Sequence, residues 1–305
     1  MKFATFKTKS GKQVFGVLTD QGLVDMNEVM PDIPDNALDF IKKNEIYMPM
    51  VDEAIAKAKK FYQEEQVTLM APLPNPISFR DFYGFNEHVE NGRRNRGATV
   101  PPEYYEIAAF YFSNANHMVA SGEPVSAPKL SKCLDFEFEV GYIIGKEGKD
   151  IPKEKALDYI FGYTILNDWS ARDIQRHETK VGLGPHKGKD FATSQGPYIV
   201  TKDEWDAFRV PGDPSTLKYN RKTKLTVNGR VIRVNNLSAI YHDFAAQIAR
   251  GSQDVTLYPG ELCGSGTIGG GCINELTVEV VPYLTPGDKL EMYIEGIGTL
   301  VSIVK

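Results

Sequence analysis

The chain has only three cysteines in 305 residues, Cys133, Cys263 and Cys272, and no two of them form a CxxC pair. There is therefore no disulfide framework to read, a zinc–thiolate centre is not expected, and a reduced, cytoplasmic setting is the simplest account. Long apolar runs are lacking as well. Nothing approaches the roughly 18 residues of a membrane span. The opening Met1-Lys2-Phe3-Ala4-Thr5-Phe6-Lys7 has lysines but no apolar stretch, so no secretory signal is expected. Excess charge is small. A net charge of -5 points to neither nucleic acid nor an anionic membrane as a partner. No internal repeat and no low-complexity segment is visible.

What is present fits a soluble protein with a sizeable core, at 42% hydrophobic and 25% charged residues. The first stretch reads as short strands at 2–7, 14–19 and 23–25, punctuated by Ser10-Gly11 and Asp20-Gln21-Gly22. Helical spacing follows at 36–43 and 50–65. Pro72, Pro74 and Pro76 then forbid a helix or a central strand and place a domain boundary. This gives a small α+β domain over 1–70 and a larger one over 71–305. Residues 77–83 read as a short strand. Residues 87–96 are strongly polar and include His88, and an aromatic-rich segment follows at 103–112. The pair could be a lid over a pocket or a surface excursion. From Pro124 onward the pattern is mostly β, with strands expected at 136–144, 162–166, 198–201, 225–227, 277–281 and 290–294. Helices are expected at 153–158 and 238–250. Asn228-Gly229 between two apolar runs signals a hairpin. The fold class is α+β, predominantly β.

The chemistry starts from Leu134-Asp135-Phe136-Glu137-Phe138-Glu139-Val140. Side chains alternate along a strand, so Asp135, Glu137 and Glu139 share one face at about 6–7 Å spacing. Such carboxylates repel and raise each other's pKa unless a positive charge lies between them. They form either a solvated acidic face or an oxygen-rich divalent cation site. Asn167-Asp168 ends an apolar run and precedes Trp169-Ser170-Ala171-Arg172-Asp173-Ile174-Gln175. Asp168 there is a strand-end functional carboxylate or a simple cap. Gly264-Ser265-Gly266-Thr267-Ile268-Gly269 spells GxGxxG, but no helix pattern follows, so a tight glycine loop is the better reading. Residues 182–190 fall short of a phosphate loop, because Leu183 and Asp190 replace the required Gly and Ser or Thr. Among the five histidines, His88 differs by lying seven residues after Asp81.

In one order, Asp81-Phe82-Tyr83 with His88, Asp135-x-Glu137-x-Glu139, residues 167–175, Leu183-Gly184-Pro185 with Gly188-Lys189, and Ser265-Gly266-Thr267-Ile268 resemble the fumarylacetoacetate hydrolase family over about 72–305. The resemblance implies a mixed β-roll, a divalent metal (Mg²⁺ or Mn²⁺, with Ca²⁺ possible) and carbon–carbon bond cleavage in diketo acids. It implies Asp81, Glu137, Glu139 and Asp168 as metal ligands, His88 as general base and Glu275 as its acidic partner. Arg172, Gln175 and Lys189 match oxyanion and substrate contacts, and Tyr83, Tyr111 and Thr267 match substrate-pocket positions. Asp135 carries no implied role. The expectation is a hydrolase of fumarylacetoacetate, fumarylpyruvate or another acylpyruvate, acting as a homodimer. A decarboxylase, tautomerase or isomerase of oxaloacetate-like or aromatic-catabolism keto acids, or a non-catalytic metal- and ligand-binding protein, are the alternatives.

Overall fold

The computed structural model describes residues 1–210 and 217–305. Its centre is an eleven-stranded mixed sheet. From one edge its main path runs through Gly22–Asp25, Gln13–Thr19, Lys2–Thr8, Thr193–Thr201, Ile160–Asp168, Phe138–Ile144, Leu262–Gly264, Phe79–Phe82 and Phe110–Ser113. A second sheet of five strands includes the expected hairpin, Lys222–Val227 with Arg230–Asn236, turning at Asn228 (φ 50°) and Gly229 (φ 77°). Positive φ at both central residues is the type I′ geometry that suits the strand twist. The α+β, predominantly β class is as expected.

The N-terminal strands extend the main sheet, with Lys2 opposite Val200 and Phe3 opposite Ile199. Their aromatic side chains Phe3 and Phe15, with Phe40 of the helix Ala37–Lys42, pack in one cluster with Phe161, Leu166 and Leu262 of the later strands. The proline segment between them is held by side chains. Gln195 accepts from Leu73 N and donates to Leu73 O, and Thr5 Oγ1 donates to Pro72 O at 2.7 Å.

Several expected elements differ. The run 134–140 is not one strand. Leu134–Asp135 pairs with Ser170–Ala171, and the main ladder resumes only at Phe138–Ile144. Side-chain acceptors take the intervening donors: Asp135 Oδ1 accepts from Phe136 N, and Asn167 Oδ1 from Glu137 N. Both faces of the run are buried, so the alternation does not mark a solvated side. Residues 277–281 form a turn, not a strand. Thr277 sits at φ 73°, where it ends the helix Ile273–Leu276, and its carbonyl accepts from Val280 N and Val281 N. The helix expected over 50–65 covers only Val51–Lys57, because Ala58 turns extended. The helix expected over 238–250 is Phe244–Gly251, started by Asp243, whose side chain accepts from Ala246 N. Residues 153–158 lie in the 3₁₀ helix Lys153–Tyr159. The polar segment at 87–96 is mostly a helix, Asn86–Arg94, which turns His88, Val89 and Gly92 inward. Amphipathic burial outweighs its poor helix composition.

Candidate active site

Three strands of the main sheet bring carboxylates to one place, two of them paired and the third separated from these by Leu262–Gly264. Asp81 lies on Phe79–Phe82, Glu139 on Phe138–Ile144, and Asp168 ends Ile160–Asp168. Glu137 precedes the second of these, and its carbonyl accepts from Asp168 N at 3.0 Å. Gly264 lies opposite both Asp81 and Gly141 in the ladders. A Cβ there would come within 2.5 Å of Asp81 Oδ1 and 2.7 Å of Glu139 Oε2, so only glycine lets these two carboxylates approach.

Two cations face the group. Lys189 Nζ donates to Glu137 Oε2 and, at 2.6 Å, to Asp168 Oδ2. Arg172 forks between Asp135 (Nε, 2.7 Å) and Glu137 (Nη2, 2.8 Å), and its Nη1 donates to Gln175 Oε1. Tyr111 OH donates to Asp168 Oδ2 at 2.7 Å. Thr267 Oγ1 and Gly266 N donate to Glu139. Burial would raise the Glu137 carboxyl, but Lys189 and Arg172 hold it below the usual carboxylate range. Asp81 and Glu139 go the other way. Burial, and then the neighbouring Asp168 for Asp81 and Asp81 for Glu139, push both well up. Burial opposes the charge on Lys189, yet Asp168 and Glu137 raise it, so it stays an ammonium.

The donor set fits a hard cation. Oxygens of Asp81, Glu137 and Asp168 lie within 4.8 Å of one another. Among the described residues, Asp81 Oδ1 and Asp168 Oδ1 are buried acceptors with no hydrogen-bond partner. Four carboxylates are faced by one ammonium and by a guanidinium shared with Asp135. An all-oxygen, electron-rich cluster short of positive charge is what Mg²⁺, Mn²⁺ or Ca²⁺ takes.

His88 and Glu275 meet from different elements. His88 Nδ1 and Glu275 Oε1 are 2.6 Å apart, and both residues are buried. Gly270 N and Asn91 Nδ2 donate to the other Glu275 oxygen. Although burial works against ionisation, His88 and these donors keep the Glu275 carboxyl low. An ionised carboxylate only accepts, so His88 Nδ1 is the donor in this contact. Tyr83 packs edge-on against His88 with ring centroids 5.3 Å apart.

A cavity of about 250 Å³ joins these groups. Asp81, Tyr83, His88, Tyr111, Glu137, Glu139, Arg172, Gln175, Lys189 and Thr267 all line it. Asp168 and Glu275 stand behind, held to lining residues by the hydrogen bonds just given. Three neighbours were given no site role from the sequence. Asp135 accepts from Arg172 and from the backbone N–H of Ile273 and Asn274, and so ties the guanidinium to the Glu275 helix. Arg96 lines the cavity. Cys272 lies against the His88–Glu275 pair. Only the DxExE spacing drew attention to Asp135, and nothing local distinguished the other two.

Residues 78–305 match the family model described as fumarylacetoacetate (FAA) hydrolase C-terminal. The chain belongs to the fumarylacetoacetate hydrolase family. Within it, an oxaloacetate tautomerase named as mitochondrial, from Rattus norvegicus, is 30% identical over 93% of this chain and 84% of the relative. A fumarylacetoacetase from Arabidopsis thaliana is 32% identical over 74% of this chain; the match spans 64% of that longer protein. A fumarylacetoacetate hydrolase structure from Exiguobacterium antarcticum has the same fold, with TM-score 0.74 and 24% identity over 100% of this chain and 99% of that one. So does maleylpyruvate hydrolase from Sphingobium sp. SYK-6 in complex with manganese(II) and pyruvate, with TM-score 0.74 and 21% identity over 100% and 98%. The family therefore includes proteins named for hydrolysis and for tautomerisation. Among the described residues, no helix is long and apolar enough to cross a membrane.

Proposed function

We propose that this protein is a divalent-metal-dependent hydrolase that cleaves a carbon–carbon bond in a β-diketo acid such as fumarylacetoacetate, fumarylpyruvate or another acylpyruvate. One observation carries the reading: a His88–Glu275 pair opens on the same cavity as a buried carboxylate cluster. A cation site alone serves decarboxylation as an electron sink, whereas an oriented base beside it also activates water. Asp81, Glu137, Glu139 and Asp168 would hold Mg²⁺ or Mn²⁺, with Ca²⁺ also suited to the oxygen set. Once bound, the ion supplies Lewis-acid polarisation of adjacent substrate oxygens and stabilises enolate charge. The manganese and pyruvate named for the Sphingobium relative are in keeping with this.

Water gives a proton to His88 Nε2 as its oxygen adds to the acyl carbonyl carbon. Glu275 stabilises the imidazolium through Nδ1–H. Lys189, Arg172 and Gln175 donate toward the developing oxyanion. The carbon–carbon bond then breaks, its electron pair leaves as an enolate, and His88 returns the proton. Tyr83, Tyr111 and Thr267 shape the pocket and orient the substrate.

A second reading is supported by the relatives named oxaloacetate tautomerase, one of which matches 93% of this chain. The deciding experiment follows loss of diketone absorbance for fumarylacetoacetate and a panel of acylpyruvates, with Mg²⁺ or Mn²⁺ and with a chelator. Metal-dependent decay to two acids supports the hydrolase. No decay, with enol–keto exchange or loss of carbon dioxide from oxaloacetate, moves the assignment to a tautomerase or decarboxylase. Turnover of any keto acid removes the non-catalytic alternative. The small-molecule substrate, a homodimer and a cytoplasmic location remain part of the proposal, although a relative is named as mitochondrial. A monomer in sedimentation at micromolar concentration would count against the dimer. Residues 1–70 are assigned a packing role at the sheet edge, apart from the catalytic unit 71–305.

A further inference from the structure

Cys272 Sγ lies 3.8 Å from His88 Nδ1 and 3.6 Å from Glu275 Oε1, and those two atoms are 2.6 Å apart. All three side chains are buried, and ligand atoms from all three lie within 4.8 Å of one another. Nitrogen, thiol sulfur and carboxylate oxygen around one point form a donor set of different character from the all-oxygen cluster. We propose that His88, Cys272 and Glu275 form a second cation site, selective for a borderline or soft divalent ion of the zinc and cadmium class, and that its occupation switches the pocket off.

The distances support it. Zinc bonds of about 2.0–2.1 Å to nitrogen or oxygen and about 2.3 Å to sulfur give tetrahedral edges of roughly 3.3–3.6 Å. The two edges to Cys272 already lie near this range, and the His88–Glu275 edge opens by roughly 0.7 Å. Charge supports it too. A neutral imidazole, a carboxylate and a thiolate around a divalent ion sum to zero, the tolerable case in a buried site. Glu275 is already oriented, since Gly270 N and Asn91 Nδ2 hold Oε2 and leave Oε1 to the ion. Hardness keeps the two sites apart: thiolate and imidazole favour zinc-like ions, and carboxylates favour magnesium-like ones.

Binding is balanced in protons. The Cys272 thiol loses its proton to solvent as the sulfur–metal bond forms. The His88 proton leaves Nδ1, which becomes a ligand, and appears on Nε2. That step removes the lone pair that accepts a proton from water. The site is thus inhibitory through the tautomer of His88. The inhibitory part rests on the proposed role of His88, whereas the binding part does not.

The test separates the two. Cadmium is titrated into the full-length protein in excess Mg²⁺, which competes for the carboxylate cluster. The ultraviolet thiolate-to-cadmium charge-transfer band is followed, with proton release measured by calorimetry in two buffers. One ion, a charge-transfer band and one proton released per ion are expected. Cys272→Ser should lose the band while Cys133→Ser keeps it, with circular dichroism showing both folded. Zinc should inhibit turnover, and Cys272→Ser should weaken that inhibition more than roughly tenfold, since losing even an outer partner of a metal ligand costs about 10–100-fold. No band in the wild-type protein at large cadmium excess, or a band retained by Cys272→Ser, overturns the site. Binding as expected without inhibition leaves the site standing and instead overturns the switch and the role of His88 as base.

Discussion

The carboxylate cluster and the His88–Glu275 pair share a cavity but are built by different means. The cluster sits on strands of the main sheet, and its register is set by ladder pairings that run from Asp81 through Gly264 to Gly141, on the strand of Glu139. It is over-supplied with negative charge, and burial drives two of its carboxyls up. The pair is assembled from a helix, Asn86–Arg94, and a one-turn helix, Ile273–Leu276, each too short to be stable alone. Its carboxyl is driven down, by the histidine and by backbone and amide donors. One half is a rigid site of strained charge that calls for a cation. The other is a satisfied hydrogen-bonded unit whose position depends on the packing around it.

The comparison predicts that the halves come apart under mutation. His88→Ala should lower hydrolysis about 10²–10⁴-fold while leaving manganese affinity, measured by calorimetry, within twofold or so. A parallel loss of metal binding would mean that the halves are one unit. Lys189→Met removes the ammonium that bridges Glu137 and Asp168, and leaves them buried without it. It should cost the metal-free protein about 3–5 kcal/mol in urea unfolding, the usual penalty for breaking a buried ion pair.

Smaller effects sharpen the contrast in sign. Glu275→Gln should cost about 1.5–3 kcal/mol near neutral pH, the worth of a hydrogen bond to a charged group. The folded Glu275 pKa is depressed, so this stability is present above the unfolded value, about 4.3, and fades as pH falls through the folded one. The gap between wild type and Glu275→Gln in urea midpoint should therefore close in acid. Glu139→Gln should do the reverse. Its folded pKa is raised by burial and Asp81, so stability falls as pH rises from the unfolded value, about 4.3, toward the folded one, and the substitution should raise metal-free stability at neutral pH. The same change should weaken manganese binding about 10-fold or more. A fall in metal-free stability would show that Glu139 is not strained. Last, Asp135→Asn should loosen Arg172 and the Ile273–Leu276 helix, costing about 1–3 kcal/mol with little change in metal affinity.

Much of the acidic half was legible before the fold was known. The apolar run ending in Asp168 is a short-range feature, whereas the DxExE alternation supposed one strand that the structure breaks before Phe138, and Asp81 and His88 took their roles from the family resemblance. The other half was legible in residue identity but not in shape. Polar composition hid the helix carrying His88, since the burial of Val89 and Gly92 is set by neighbours distant in sequence. The β-branched residues at 277–281 suggested a strand where Thr277 turns with positive φ, because tertiary placement overrides weak strand propensity.

By itself the sequence determined the α+β class, the hairpin at Asn228-Gly229 and the residue types of the site, all of which rest on local pattern. Tertiary structure decided that both faces of the acidic run are buried, that Asp135 anchors Arg172, and that Cys272 comes to lie 184 residues along the chain from the histidine it touches. Charge balance, burial and ligand geometry are properties of groups brought together by folding, and spacing along a chain does not carry them.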